Sequence, residues 1–155
     1  MTDRQMSLHI KLSELTHSDT AVANKIDNTP TPEHLRNMEK YLVPGLENIR
    51  EICGGFPMRI HDAYRNPQVN KLVGGTPTSA HPLGLAADFH IDGQTPLQTA
   101  RTIAAAMKAG KIKIDQLILE RGRGTVHVSF DPRVRGMRGH QPGKAGTPID
   151  WGFFA

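Results

Sequence analysis

Apolar residues recur every three or four positions between residues 31 and 53, which predicts an amphipathic helix. Thr31 suits the N-cap and Pro32 the first helical position, while Gly54 favours an end just after Cys53. Pro44 lies inside this segment and is expected either to kink the helix or to divide it in two. The apolar face comprises Leu35, Met38, Leu42, Leu46 and Ile49.

Further along the chain, short elements alternate with turns. Thr95 and Gln98 form a capping-box pattern that begins a helix ending near Lys108, and Asn66 begins a short helix. Apolar runs predict strands at residues 58–62, 86–91, 116–120 and 125–130, and the last two form a hairpin around residues 121–124.

This order of elements predicts an α+β fold for a single domain spanning residues 1–155. We expect a small central antiparallel sheet with helices packed mainly on one side. Residues 131–148 are rich in Gly, Pro and Arg, have no period, and are predicted to form an irregular tail segment. The last residues are expected to dock back through Trp151, Phe153 and Phe154.

Composition narrows the possible function classes. Mean hydropathy is −0.42 and no apolar run approaches the ~20 residues that span a bilayer, so no membrane insertion is expected. The polar N-terminus lacks a secretory signal pattern, which predicts synthesis in the cytoplasm. The net charge of +4 favours anionic partners, but the basic residues lack interleaved aromatics, so no nucleic acid is expected. The single cysteine, Cys53, excludes an intramolecular disulfide and a Cys-rich zinc site.

Any metal site must therefore use histidines and carboxylates. His81 and Asp88 lie seven residues apart, and Pro82 and Gly84 between them exclude one continuous helix. This places His81 on a loop and Asp88 on the strand that follows. Asp88 interrupts an apolar run, where a carboxylate is costly unless it is paired or binds a cation. The alternative is a strand-end aspartate that points into solvent.

His127 lies on the polar face of an alternating strand, together with Thr125 and Ser129. A single histidine in this position is most simply a solvent-facing residue. Two histidines and one carboxylate with an open fourth position, however, form a catalytic zinc site. The open position holds a water molecule that the metal converts into a nucleophile at neutral pH.

Three sequence motifs together resemble the D-Ala-D-Ala metallopeptidase family, in its short single-domain branch. They are Ser79-x-His81-x-x-Gly84-x-Ala86-x-Asp88, then Val126-His127-Val128-Ser129, and the upstream segment 59–67 around Tyr64-Arg65. The resemblance covers roughly residues 8 to 130. The family includes D-alanyl-D-alanine carboxypeptidases, vancomycin-resistance dipeptidases and several phage endolysins.

The resemblance implies a role for individual residues. His81, Asp88 and His127 match the family's zinc ligands, which implies Zn²⁺ as the cofactor. Arg65 matches an arginine that stabilises the oxyanion, a role suited to a fixed guanidinium; a surface salt bridge is the alternative. Ser79 matches a serine that hydrogen-bonds the substrate, and a loop or capping hydroxyl is the alternative.

Two positions depart from the family pattern. Many members carry an acid three residues before the last ligand, where this chain has Gly124. Glu120 is therefore the candidate general base. If the hairpin turn centres on residues 122–124, Glu120 lies nearly opposite His127, with Cβ atoms ~4.5–5.5 Å apart. The alternative is a glutamate paired with Arg121 or Arg123.

The second departure is His61-Asp62, where many relatives carry small or hydroxyl residues. Either side chain could enter the cleft and alter specificity, or support a ligand histidine. Asp62 and Tyr64 are accordingly candidate substrate-binding residues, with core packing as the alternative for Tyr64.

The resemblance implies a monomeric zinc peptidase that cleaves peptidoglycan stem peptides. Removal of a terminal D-Ala and an endopeptidase cut at L-Ala-D-Glu both remain open. Without a signal peptide, the expected setting is phage lysis or another release to the cell wall. The rival hypothesis is a zinc-stabilised module that binds wall peptide without cutting it, which Gly124 at the usual acid position favours.

Overall fold

The computed structural model describes residues 3–152, which form a six-stranded sheet and its surrounding helices. The helices are α1 (Leu12–Thr16), α2 (Asp19–Ala23), α3 (Pro32–Asn37), α4 (Val43–Ile52), α5 (Pro67–Leu72) and α6 (Pro96–Lys108). The strands are β1 (Met58–Asp62), β2 (Ala86–Ile91), β3 (Gln116–Glu120), β4 (Thr125–Ser129), β5 (Met137–Gln141) and β6 (Asp150–Trp151). The α+β fold class predicted from the sequence is confirmed.

The strand order is β1-β2-β4-β3-β5-β6, and every neighbouring pair is antiparallel except β3 and β5. The chain leaves β4, crosses to the far side of β3 and runs parallel to it. The buried Asp115 carboxylate holds this crossover, because it accepts hydrogen bonds from the backbone and the guanidinium of Arg135 at 2.8–3.0 Å. The sheet is therefore mostly, not wholly, antiparallel.

The alternation of the central strands separates two faces of the sheet. One face is apolar: Phe89, Leu117, Val126 and Val128 are buried in the main hydrophobic core. Helix α6 packs on β2, β3 and β4, and α4 packs on α6, so the longer helices cover this face. The opposite face carries the polar residues of β2, β3 and β4.

The helix predicted around Pro44 is continuous from Pro32 to Ile52, but it is not α-helical throughout. Helices α3 and α4 are joined by a π-helical turn, Met38–Leu42, just before Pro44. The backbone N–H of Val43 bonds the carbonyl of Met38, five residues earlier. A π turn inserts one residue into the helical ladder, and here it lies where proline cannot donate its own hydrogen bond.

The tail predicted to be irregular at residues 131–148 contains strand β5, which is a correction to that prediction. The alternation of apolar and polar residues that marks a strand is not visible in this segment, because the central residue of β5 is Gly139. A Cβ atom on Gly139 would lie 2.9 Å from Trp151 Cε3, so the glycine allows the indole to rest on the sheet. Trp151 does dock back, through β6, whereas Phe153 and Phe154 lie outside the described residues.

Within residues 3–152, no helix has both the length and the apolar character needed to cross a bilayer.

Replacing Asp115 with Asn should lower the free energy of unfolding at pH 7 by about 1–3 kcal/mol, because the hydrogen bonds to Arg135 lose their charge. Burial raises the pKa of Asp115, but the hydrogen bonds from Arg135 lower it by more. The net pKa therefore lies below the ordinary value of an aspartate. The stabilisation is thus present above pH ~4 and is lost as pH falls through the lowered pKa. Urea unfolding between pH 7 and pH 3 should show the gap between wild type and Asp115→Asn closing. Asp19→Asn, at an exposed carboxylate, is the control and should show no such gap.

Candidate metal centre and active-site cleft

Three buried side chains from separate parts of the chain meet on the polar face of the sheet. His81 begins a 3-10 turn, His81–Leu83, while Asp88 and His127 lie at the middle of β2 and β4. Asp88 and His127 are direct partners in the antiparallel register. Their exposed fractions are 2% for His81, 2% for Asp88 and 8% for His127.

The facing atoms of these residues are close enough to share one ion. Oδ1 of Asp88 lies 2.8 Å from Nδ1 of His127 and 3.3 Å from Nε2 of His81. The candidate ligand atoms of all three residues lie within 4.8 Å of one another. The structure thus brings together the ligand set expected from the sequence.

The orientation of His81 is set by the backbone. Its Nδ1 donates to the carbonyl oxygen of Ala63 at 2.5 Å, which leaves Nε2 facing Asp88. Gly84 ends the turn with φ +74°, and a Cβ atom there would lie 2.5 Å from the carbonyl oxygen of His34. Only glycine combines that conformation with that close approach, which explains its place in the motif.

Electrostatics favour the protonation states that bind a cation. Burial raises the pKa of Asp88, but the facing side chains of His81 and His127 lower it by more. The pKa of Asp88 therefore lies well below the ordinary range. Burial lowers the pKa of His127, and this effect exceeds the opposing effect of Asp88. The lowered pKa favours the neutral ring of His127. An ionised carboxylate beside a neutral imidazole is the donor combination that a divalent metal site requires.

Glu120 lies beside this centre, but not in the predicted register. The hairpin turn occupies residues 121–124, so Glu120 pairs with Thr125, and His127 faces Ile118. This corrects the expectation that Glu120 lies opposite His127. Glu120 is instead a diagonal neighbour on the same face, a relation in which strand positions lie ~7–8 Å apart, and both residues line the same cleft.

Glu120 is also held by neighbours that belong to the hairpin. It is 2% exposed, and its Oε1 accepts a hydrogen bond from Thr125 Oγ1 at 2.8 Å. Its Oε2 pairs with Arg123, the alternative pairing considered from the sequence. Arg123 Nη1 also lies 3.3 Å from Asp88 Oδ2. Arg123 thus connects the candidate base with a candidate ligand, a contact that sequence spacing alone gave no means of finding.

Arg65 and Asp62 form a pair at the edge of the centre. Arg65 is 6% exposed, lines the cleft, and has Nη1 3.1 Å from Asp62 Oδ2. Its Nε atom is buried and has no hydrogen-bond partner among the described residues. Burial raises the pKa of Asp62, and His81 and Arg65 oppose this effect. Arg65 is therefore a buried cation rather than a surface salt bridge.

Ser79 and Tyr64 occupy different environments. Ser79 lines the cleft and accepts a hydrogen bond from the backbone of His81 at 3.2 Å. Tyr64 is 2% exposed, belongs to the hydrophobic core, and its hydroxyl lies 3.2 Å from His34 Nδ1. Tyr64 thus packs in the core, the alternative considered from the sequence, and is not among the residues that line the cleft.

The cleft has a volume of about 340 Å³ and is closed on one side by residues 142–151, which we call the strap. Gln141 Nε2 donates to the carbonyl oxygen of Thr147 at 2.9 Å and ties the strap to the sheet. Glycines allow close approach at both flanks: a Cβ on Gly122 would lie 2.6 Å from the Gly143 carbonyl oxygen, and one on Gly146 would lie 2.9 Å from the Gly74 carbonyl oxygen. A larger depression, about 670 Å³, lies near Leu8 and contains none of these residues.

Gly122→Ala should displace the strap, because the new methyl group meets backbone atoms that cannot rotate away. We expect a loss of about 1–3 kcal/mol in the free energy of unfolding, as for other overpacked sites. Trp151 is the single tryptophan and lies in the strap, so acrylamide quenching of its fluorescence should increase. Gly124→Ala strains the same turn, at φ +68°, without meeting any atom within 4 Å, and should leave quenching unchanged. Equal quenching in both variants would contradict the assigned strap contact.

Comparison with known proteins places most of the chain in one family. Residues 8–129 match the family model described as Peptidase M15. No curated protein matches the chain. The matched segment includes the three candidate ligands, Glu120 and Arg65, whereas β5, β6 and the strap lie beyond it.

Proposed function

The chain belongs to the Peptidase M15 family, and from this premise we propose that it is a zinc-dependent peptidase that cleaves peptidoglycan stem peptides. The observation that carries the proposal is the buried triad of His81, Asp88 and His127 at the floor of a cleft that also holds a carboxylate and a guanidinium. Two imidazoles and one carboxylate are the ligand set of catalytic rather than structural zinc sites.

Each polar group around the triad has a proposed task. Zinc, when bound, supplies Lewis-acid activation of water and of the scissile carbonyl. Glu120 accepts the proton of the attacking water and delivers it to the leaving amine. Arg65 donates hydrogen bonds to the carbonyl oxygen as negative charge develops, and its unpartnered Nε adds a donor to that task. Ser79 positions the peptide at the rim.

The guanidinium donors of the cleft support a peptide with free carboxylates as substrate, although each is also paired with a carboxylate of the chain. The guanidinium groups of Arg65 and Arg123 both line the cleft, and stem peptides carry free carboxylates that such groups bind. Removal of a terminal D-Ala and cleavage at L-Ala-D-Glu are both compatible with this recognition. New free D-Ala or new amino termini, measured after digestion of purified peptidoglycan, would identify the bond.

A module that binds wall peptide without cutting it is the second candidate. Gly124 stands where many relatives have an acid, and Glu120 is engaged by Arg123 and Thr125 instead of being free. In this alternative the metal stabilises the fold and the cleft only holds peptide. Turnover distinguishes the two candidates.

Glu120→Gln should reduce kcat about 10²–10⁴-fold, the usual contribution of a general base, while metal content is retained. The amide keeps the bond from Thr125 but accepts no proton. Metal analysis and peptide release should be measured on the same preparation. Glu51→Gln, at an exposed helical position, is the matched control and should retain wild-type turnover. Wild-type protein that binds metal but releases no product would favour the binding module.

Arg65→Lys should lower kcat about 10²–10³-fold with a smaller change in KM, because a flexible ammonium keeps the charge but loses the fixed donor geometry. Arg59→Lys, which alters an arginine paired with Asp92 on the surface, is the control. An effect confined to KM would assign Arg65 to ground-state binding instead.

A further inference from the structure

Two histidines outside the triad face each other across strands β1 and β2. Nε2 of His61 lies 2.6 Å from Nδ1 of His90, and the two rings meet edge to face. The register pairs Ile60 with Phe89 and Asp62 with Asp88, so His61 is the extra residue of a β-bulge. A bulge redirects the side chain of its extra residue, and here it turns His61 toward His90.

The side of the His90 ring that points away from His61 faces the carboxylate of Asp92. Nε2 of His90 faces Asp92 Oδ1 at 3.6 Å, and Asp92 is itself held by Arg59 through hydrogen bonds of 2.8 and 3.2 Å. A carboxylate on the far nitrogen is the usual support of a metal-binding histidine. This support leaves Nδ1 of His90 directed at His61.

We propose that His61 and His90 form a second metal site, for a divalent ion of the copper, nickel and zinc group. Two imidazole nitrogens bound to one ion at about 2.0–2.1 Å lie about 2.9 Å apart at a right angle and about 3.3 Å apart at the tetrahedral angle. The observed separation needs only a few tenths of an ångström of widening for the tetragonal geometry of Cu²⁺ or Ni²⁺. Both facing nitrogens then present lone pairs to the ion, with the ring protons on Nδ1 of His61 and Nε2 of His90.

The second site is separate from the triad but belongs to the same face of the sheet. His90 follows Asp88 by two residues, which places the two side chains about 7 Å apart along the strand. The two sites share no ligand, and this spacing exceeds the ~4 Å of bridged two-metal centres. His61 is exposed and His90 is partly exposed, which leaves coordination positions open to solvent or to a carboxylate of a bound peptide.

Titration with Cu²⁺ against a weak competing chelator tests the site without any need for peptidase activity. Wild type should bind two equivalents, and His61→Gln and His127→Ala should each bind one. The double variant should bind none under the same competition. Electron paramagnetic resonance of copper-loaded His127→Ala should show coupling to two imidazole nitrogens, and the double variant should show no bound-copper signal.

His17→Gln is the matched control, since His17 is an exposed histidine that has a carboxylate at 2.7 Å and no facing imidazole. It should retain both equivalents. Copper stoichiometry unchanged by His61→Gln would overturn the proposal. Loss of one copper equivalent in His61→Gln but not in His127→Ala would support it, even if the triad takes no copper. If His61→Gln disturbs the bulge, as judged by circular dichroism, His90→Gln provides the same test.

Discussion

The burial of one carboxylate constrains this structure more than any other interaction. Asp88 is 2% exposed and lies in the middle of a strand, where an ionised group without partners would be strongly destabilising. Two imidazoles and the guanidinium of Arg123 surround it. The charge of Asp88 is thus compensated by side chains from three other parts of the chain. These are the His81 turn, strand β4 and the hairpin turn.

The sheet meets this constraint by giving its two faces different tasks. Successive residues of a strand point to opposite sides, so Phe89 and Val128 enter the core while Asp88 and His127 face the cleft. Helix α6 packs on the apolar face and α4 packs on α6, so the polar face is left to form the cleft. Two of the three candidate ligands, Asp88 and His127, are thereby built on strands rather than loops, which gives the more precise geometry.

The segment after the family match adds a boundary to the cleft. Strand β5 joins β3 through the crossover that Asp115 and Arg135 hold, and it places Gln141 beside Glu120. Gln141 then contacts both the strap and Arg123, whose Nη2 lies 3.4 Å from Gln141 Oε1. The part of the chain with the least regular sequence pattern therefore reaches the polar network formed by Glu120, Arg123 and Gln141.

Local patterns alone determined much of this architecture. The caps at Thr31 and Thr95 and the alternation of the strands predicted most elements, because caps and periodicity are short-range properties. The motifs at residues 79–88 and 126–129 indicated the candidate ligands through their resemblance to a family.

Tertiary structure decided what depends on pairing between distant residues. The register that puts Glu120 opposite Thr125, the parallel placement of β5, the burial of Tyr64 and the bulge that joins His61 to His90 all arise from such pairing. A one-residue change in a turn or a bulge reassigns partners across strands without altering the local pattern on either strand, so these features follow only from the folded chain.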